Sequence, residues 1–167
     1  AAAEAAALRP ELVRSLTIID VAPGSSYEAS AKMRAFITGM GGAPSVEAVV
    51  DAAMLANPYG DRERVAYRMR AMLRRNDLGL WEWKRDGRRD VDFPHILGRV
   101  QAMGQTLADF DRPFLMIRGG RSKMLARAFA EAFAKMHAKG QFVEIPDAGH
   151  NVQEDQPLAL IEVLSRF

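Results

Sequence analysis

The run Phe142-Val143-Glu144-Ile145 leads through Pro146-Asp147-Ala148-Gly149 to His150. An apolar strand followed by a Pro-Asp-Ala-Gly turn delivers one imidazole to the carboxyl edge of a sheet. Imidazole is the side chain best suited to take and return a proton near neutral pH. Gly149 places no side chain beside it, so another group can come close. A histidine in a turn can equally be a solvated side chain with no role, and the rest of the chain decides between the two. The other histidines, His95 and His137, have no metal-ligand spacing with each other or with a carboxylate cluster. No phosphate loop or dinucleotide fingerprint occurs, so no cofactor is expected.

The elements that must position His150 alternate between strand and helix. The 167 residues, 49% of them hydrophobic, suffice for one domain with a real core. The absence of cysteine removes disulfides and thiolate metal sites and leaves the compartment open. No apolar run reaches the roughly 20 residues of a membrane span, and no signal pattern opens the chain, so a cytoplasmic protein is expected. Residues 1–9 favour helix, and Leu12 to Ile19 rises into a buried strand ending at the loop Asp20 to Ser26. From Tyr27 to Ala108 the texture is helical. Helices are predicted over Ala29–Thr38, Val46–Leu55 behind an N-cap at Ser45, Arg62–Arg75, and Phe93–Leu107. A break falls at Gly39 to Pro44, and Trp81-Glu82-Trp83 alternates like a short strand. Alternation then resumes with a strand over Arg112–Gly120 and an amphipathic helix over Leu125–Ala138 with Phe129, Phe133 and Met136 on one face. A strand over Gln141–Ile145 and a helix over Leu158–Phe167 close the chain. The pattern is an α/β fold. Residues 1–26 and 109–167 form a mainly parallel sheet with helices on both faces, and 27–108 a helical insertion.

Three segments in this order resemble the C-terminal part of an α/β-hydrolase-fold enzyme: Leu16-Thr17-Ile18-Ile19-Asp20-Val21-Ala22-Pro23, Phe114-Leu115-Met116-Ile117-Arg118-Gly119-Gly120-Arg121-Ser122, and Ile145-Pro146-Asp147-Ala148-Gly149-His150. The downstream Gln153-Glu154-Asp155-Gln156-Pro157 is similar to the acidic-plus-proline segment that often follows the family's histidine. The resemblance implies a partial α/β-hydrolase fold in which 27–108 is a helical cap, and it makes His150 the general base of a Ser-His-Asp triad. The family's commoner acid position falls in Gly119-Gly120-Arg121-Ser122-Lys123 and holds Ser122. The alternative position, after the earlier strand, holds Asp20, a carboxylate able to orient the imidazole and stabilise the imidazolium. The nucleophile elbow G-x-S-x-G does not occur. Gly120-Arg121-Ser122-Lys123-Met124 comes near it, but with Met where close packing wants glycine, and Ser122 reads as a serine bonded within its own loop. Ser25 and Ser26 sit in a turn.

By this resemblance the chain starts just after the nucleophile. Its triad is then completed by an N-terminal half, in the same or a separate polypeptide, and the isolated 167 residues are expected to be inactive. The strand before Asp20 would otherwise leave an apolar edge at Leu16–Ile19 unpaired. The activity implied is hydrolysis of a small-molecule ester or related acyl bond. Related members of the fold use an Asp nucleophile. The alternative is a non-catalytic C-terminal fragment or binding subunit. A third reading is nucleic-acid binding through Arg62, Arg64, Arg68, Arg70, Arg74, Arg75, Arg85, Arg88 and Arg89. The acidic residues interleaved with these, against a net charge of only +2, favour a solvated helix face instead.

Overall fold

In the computed structural model, which describes residues 1–39, 42–84 and 92–167, the chain enters through helix α1 (Ala2–Leu8) and a 3-10 turn at Pro10–Leu12. That turn takes up the first part of the apolar run, so strand β1 is confined to Leu16–Ile19. Helices α2 (Tyr27–Gly39), α3 (Val46–Ala56) and α4 (Arg62–Met72) follow. Ser45 Oγ accepts the Ala48 amide at 3.1 Å and Asp61 Oδ1 the Arg64 amide at 2.9 Å, so side-chain caps set where α3 and α4 begin. Helix α4 ends three residues before the predicted Arg75. Strand β2 (Leu73–Arg75) instead turns back through Asn76, whose Oδ1 accepts the Leu78 and Leu80 amides, and pairs antiparallel with β3 (Trp81–Trp83). The hairpin buries Leu73 opposite Trp83, a gain that helix continuation would not provide.

The predicted helix over Phe93–Leu107 is two helices, α5 (Phe93–Gln101) and α6 (Met103–Thr106), separated at Ala102. Strand β4 (Phe114–Gly119), helix α7 (Arg127–Lys135), strand β5 (Gly140–Ile145) and helices α8 (Val152–Asp155) and α9 (Pro157–Arg166) complete the chain. Residues 40–41 of the predicted break at Gly39 to Pro44, and the arginines Arg85, Arg88 and Arg89, lie outside the described residues.

Strands β1, β4 and β5 form one parallel sheet in the order β1-β4-β5. β4 lies in the centre and is buried along its whole length, and its two faces feed different cores. Phe114 and Met116 join Leu16, Ile18, Ala3, Ala6, Phe133 and Ala134 under α1 and α7. Leu115 and Ile117 join Ile145, Val152 and Leu160 under α8 and α9. This alternation makes a parallel strand apolar throughout and places helices on both sides of the sheet. Among the described residues the outer edge of β1 has no strand partner. The helical block between β1 and β4 has a core of its own, Val46, Val49, Val50, Ala53, Val65, Met69 and Leu73, with Phe36, Trp81 and Trp83 packed against it.

On α7 only Phe133 of the three predicted face residues is buried; Phe129 and Met136 are exposed. Phe129 covers a loop and Met136 covers helix α6 rather than the sheet. Phe129 lies over Gly24, where at φ +87° a Cβ would sit 2.5 Å from its ring, and Met136 lies against Gly104. No described helix is long and apolar enough to cross a membrane.

His137 is buried with both ring nitrogens unpartnered, against Phe114 (ring centroids 4.2 Å apart) and Phe133 (5.4 Å). Burial holds its pKa below the ordinary 6.5, because a protonated ring there would lose its hydration. Between that lowered value and 6.5 the unfolded chain binds more protons than the folded one. The stability His137 allows is therefore fully present above pH 6.5 and is lost as pH falls toward the folded value. Urea unfolding should show His137→Phe gaining on the natural chain as pH drops from 7 to 5. An equal difference at both pH values would contradict this.

Candidate functional site

Asp20 and His150, 130 positions apart, meet at the carboxyl edge of the sheet. His150 Nδ1 lies 2.8 Å from Asp20 Oδ2. Asp20 is the first residue after β1 and adopts φ +47°, a left-handed conformation that Asp and Asn tolerate better than most residues. Its amide donates to the Ile117 carbonyl at 2.7 Å, so β4 fixes the backbone at this turn. The carboxylate is fully buried and receives two further donors: the Gly119 amide at Oδ1 (3.0 Å) and Ser122 Oγ at Oδ2 (2.5 Å). A buried charge persists only when surrounded in this way. Because a carboxylate accepts, the network assigns the ring proton of His150 to Nδ1 and leaves the Nε2 lone pair as a base. The ring is about one-third exposed.

The register of β4 on β5 brings the two loops together, since Gly119 pairs with Ile145 where both strands end. A Cβ on Gly119 would lie 2.7 Å from the Ala148 carbonyl and nearer still to that of Gly149; one on Gly120 would run into the Pro146 carbonyl. The Gly-Gly pair thus lets the Ser122 loop lie backbone to backbone on the histidine loop, where the Arg121 amide donates to Ala148 at 2.9 Å. Arg118, at the end of β4, braces the same loop. Its buried guanidinium donates to the carbonyls of Leu125 (2.7 Å), Gly120 (3.1 Å) and Ser122 (3.0 Å) and to Glu144 (2.6 Å). Arg118 was not singled out from sequence. The signal available was a cation inside an otherwise apolar strand. Gly149, read as room for a close neighbour, has two: its amide donates to Asp155 Oδ2 at 2.7 Å, and a Cβ there would sit 2.6 Å from Asn57 Oδ1.

The remaining hydroxyl candidates are bonded elsewhere. Ser122 Oγ donates to Asp20 and accepts the Met124 amide, Ser25 Oγ donates to the Ala22 carbonyl, and Ser26 Oγ caps α2 at the Ala29 amide. The described arginines of the basic stretch are also engaged: Arg62 with Asp51, Arg64 with Asp61, Arg68 with Glu154, Arg70 with Glu47, Arg74 with Glu82, and Arg75 over the Trp81 ring. Arg68 thereby reaches the buried Glu154 of α8, while the others pair within the helical block. Among the described residues no group of three His, Cys, Asp or Glu side chains converges as a metal site.

His150 lines a cavity of about 350 Å³ together with Ser122, Tyr59 and Lys123. A second cavity of about 490 Å³ lies between the helical block and α8, against Ile37, Met69, Met72 and Trp83 on one side and Glu154 on the other. Met33, Phe36, Ala56, Asn57 and Asn151 line both, so the two spaces adjoin along a shared wall. Each is of the size that takes a small molecule.

Residues 1–163 match the alpha/beta hydrolase family. Esterase Rv0045c of Mycobacterium tuberculosis is 32% identical over 168 residues, which cover 95% of this chain and 54% of that protein. The chain therefore spans about half the length of the curated relative it matches. A crystal structure of the same esterase superposes with a TM-score of 0.67 at 28% identity, covering 99% of this chain and 55% of the other. The structure of E-2-(acetamidomethylene)succinate hydrolase superposes with a TM-score of 0.78 over 99% of this chain and 61% of the other; at 22% identity it speaks to the fold alone.

Arg118→Met should strip three loop carbonyls of their donor and leave Glu144 only Arg127. A loss on the order of 3 kcal/mol in urea unfolding is expected, as for other broken buried pairs. A loss within experimental error would show that the loop holds its shape without the guanidinium.

Proposed function

Because this chain belongs to the alpha/beta hydrolase family, we propose that it supplies the acid–base half of a serine-type hydrolase acting on a small-molecule ester or related acyl bond. The observation that carries this reading is the 2.8 Å contact between the buried Asp20 carboxylate and His150, on a ring that lines a cavity. A nucleophilic hydroxyl, on a segment outside these 167 residues in the same or a separate chain, gives its proton to His150 Nε2 as its oxygen attacks the acyl carbon. Asp20 holds the imidazolium that results. Collapse of the tetrahedral intermediate breaks the bond to the leaving alcohol, which takes the proton from Nε2. Water, deprotonated in turn by Nε2, then releases the acyl group as the acid. In this reading Ser122 is not the nucleophile; it helps hold the carboxylate that orients the base.

Residues 27–108 act as the cap, and the 490 Å³ chamber, with its methionine and aromatic walls, receives the apolar part of the substrate. The outer edge of β1, which has no strand partner among the described residues, is where the N-terminal half pairs. The M. tuberculosis relative's description as an esterase supports the ester as the bond attacked. The proposed compartment is the cytoplasm, which fractionation with an antibody against the chain would check.

The test is labelling by a serine-directed fluorophosphonate together with hydrolysis of p-nitrophenyl esters, for the chain alone and in its native assembly. The assembly should label and turn over, and the chain alone should do neither. In the assembly, Asp20→Asn should lower kcat about 10³- to 10⁴-fold, because the ring loses its fixed tautomer. Failure of the assembly to label or hydrolyse would favour the non-catalytic subunit instead. Phe36→Ala, which opens the wall shared by the two cavities, should raise KM for hexanoate and octanoate esters more than for acetate. An equal effect on all chain lengths would remove the chamber from the substrate path.

A further inference from the structure

Two consecutive buried carboxylates on α8 tie the histidine loop to the helical block. Asp155, only 4% exposed, accepts the Gly149 amide at Oδ2 (2.7 Å) and Asn57 Nδ2 at Oδ1 (2.9 Å). Gly149 immediately precedes His150, while Asn57 is the C-cap residue of α3. Beside Asp155, the buried Glu154 receives two hydrogen bonds from Arg68 of α4, at 2.7 and 3.0 Å. The joint is tight. A Cβ on Gly149 would lie 3.1 Å from Asp155 Oδ2, and one on Gly60 would lie 3.2 Å from Oδ1. Burial raises the Asp155 carboxyl above the ordinary carboxylate range, opposed by its bonds to Gly149 and Asn57 and by Arg68, while Glu154 adds to the rise. A carboxylate kept at that cost, with a donor from each side, links two parts of the molecule that otherwise have separate cores.

We propose that Asp155 is a positioning residue that aligns His150 with Asp20 only while the helical block is seated. With Asn57 and Arg68 in place, the α8 carboxylates are fixed and the Gly149 amide is held, which sets the backbone from which the imidazole projects. When the block lifts, Asn57 and Arg68 leave with it, Asp155 loses its second donor, and the loop slackens. Asp155 never touches the reacting atoms. Its catalytic meaning rests on the reading of His150 as a base, but the alignment itself does not.

The experiment is NMR on the full chain: the exchange rate of the Gly149 amide, and the downfield Nδ1–H resonance of His150 beside the resonances of His95 and His137. Asn57→Ala and Asp155→Asn should each speed Gly149 exchange by ~10-fold, the effect of losing about one hydrogen bond. They should also shift or broaden the His150 resonance and leave the other two histidines unmoved. The swap Asn57→Asp with Asp155→Asn restores a donor–acceptor pair across the joint and should recover both signals. Asn57→Ala leaves every carboxylate in place, so it decides the matter even where Asp155→Asn fails to fold. Unchanged Gly149 exchange and an unchanged His150 resonance in folded Asn57→Ala would overturn the proposal, as would equal disturbance of all three histidines. Neither readout needs a nucleophile, so a negative phosphonate result would leave this inference standing.

Discussion

A carboxylate buried completely at the end of β1 is the constraint from which the rest of the site follows. Removed from water, Asp20 needs donors, and the structure brings them from three separate places: the Gly119 amide at the end of β4, the Ser122 hydroxyl in the loop beyond it, and the His150 ring from the loop after β5. Leaving one of these sites empty would cost about 1–3 kcal/mol, and more for a charge. The requirement to satisfy Asp20 and the requirement to aim His150 are therefore the same requirement. Even the left-handed backbone of Asp20 fits this view, since a sparsely populated conformation persists where its surroundings over-determine it.

What surrounds that network is chosen for close approach and for bracing. Gly119 and Gly120 let two loops lie against each other along their backbones, and Arg118 holds three carbonyls of the Ser122 loop in place. On the other side of the histidine, Asp155 and Glu154 fasten the loop to the helical block. Each brace is polar and buried, which suits a site whose geometry must be held rather than merely packed. The apolar cores beneath supply the burial, while these few polar contacts settle the angles.

The central strand was legible in the chain because a parallel strand buried on both faces reads as a nearly continuous apolar run bounded by glycine and proline. Its neighbours β1 and β5 are short apolar runs of the same kind, less fully buried. Asp20 directly follows one such run and His150 follows the turn after another, and the structure sets the two side chains 2.8 Å apart. Where the reading departed from the structure, local pattern met tertiary demand. Helix α4 gave up Leu73–Arg75 to a hairpin that buries Leu73 against Trp83, and the helical periodicity of the segment carried no sign of that partner. Phe129 and Met136 fall at spacings that suggest the core, yet they cover glycines, Gly24 in a loop and Gly104 in α6, whose positions are decided by the whole fold. Asn57 and Arg118 carried no signal that was read, while Arg68 stood only as one of a basic stretch and Asp155 only as part of an acidic segment. The Asn57–Asp155 and Arg68–Glu154 pairs span 98 and 86 positions, and no spacing rule reaches that far.

The account's central claim is that the buried carboxylate fixes His150 as the Nδ1–H tautomer, with Nε2 ready to accept a proton. Nitrogen-15 NMR of the histidine side chains at a pH where His150 is neutral measures this directly. The account predicts a protonated Nδ1 and an unprotonated Nε2 in the natural chain, with that preference lost in Asp20→Asn. A His150 ring found as the Nε2–H tautomer, or one indifferent to the Asp20 substitution, would contradict it.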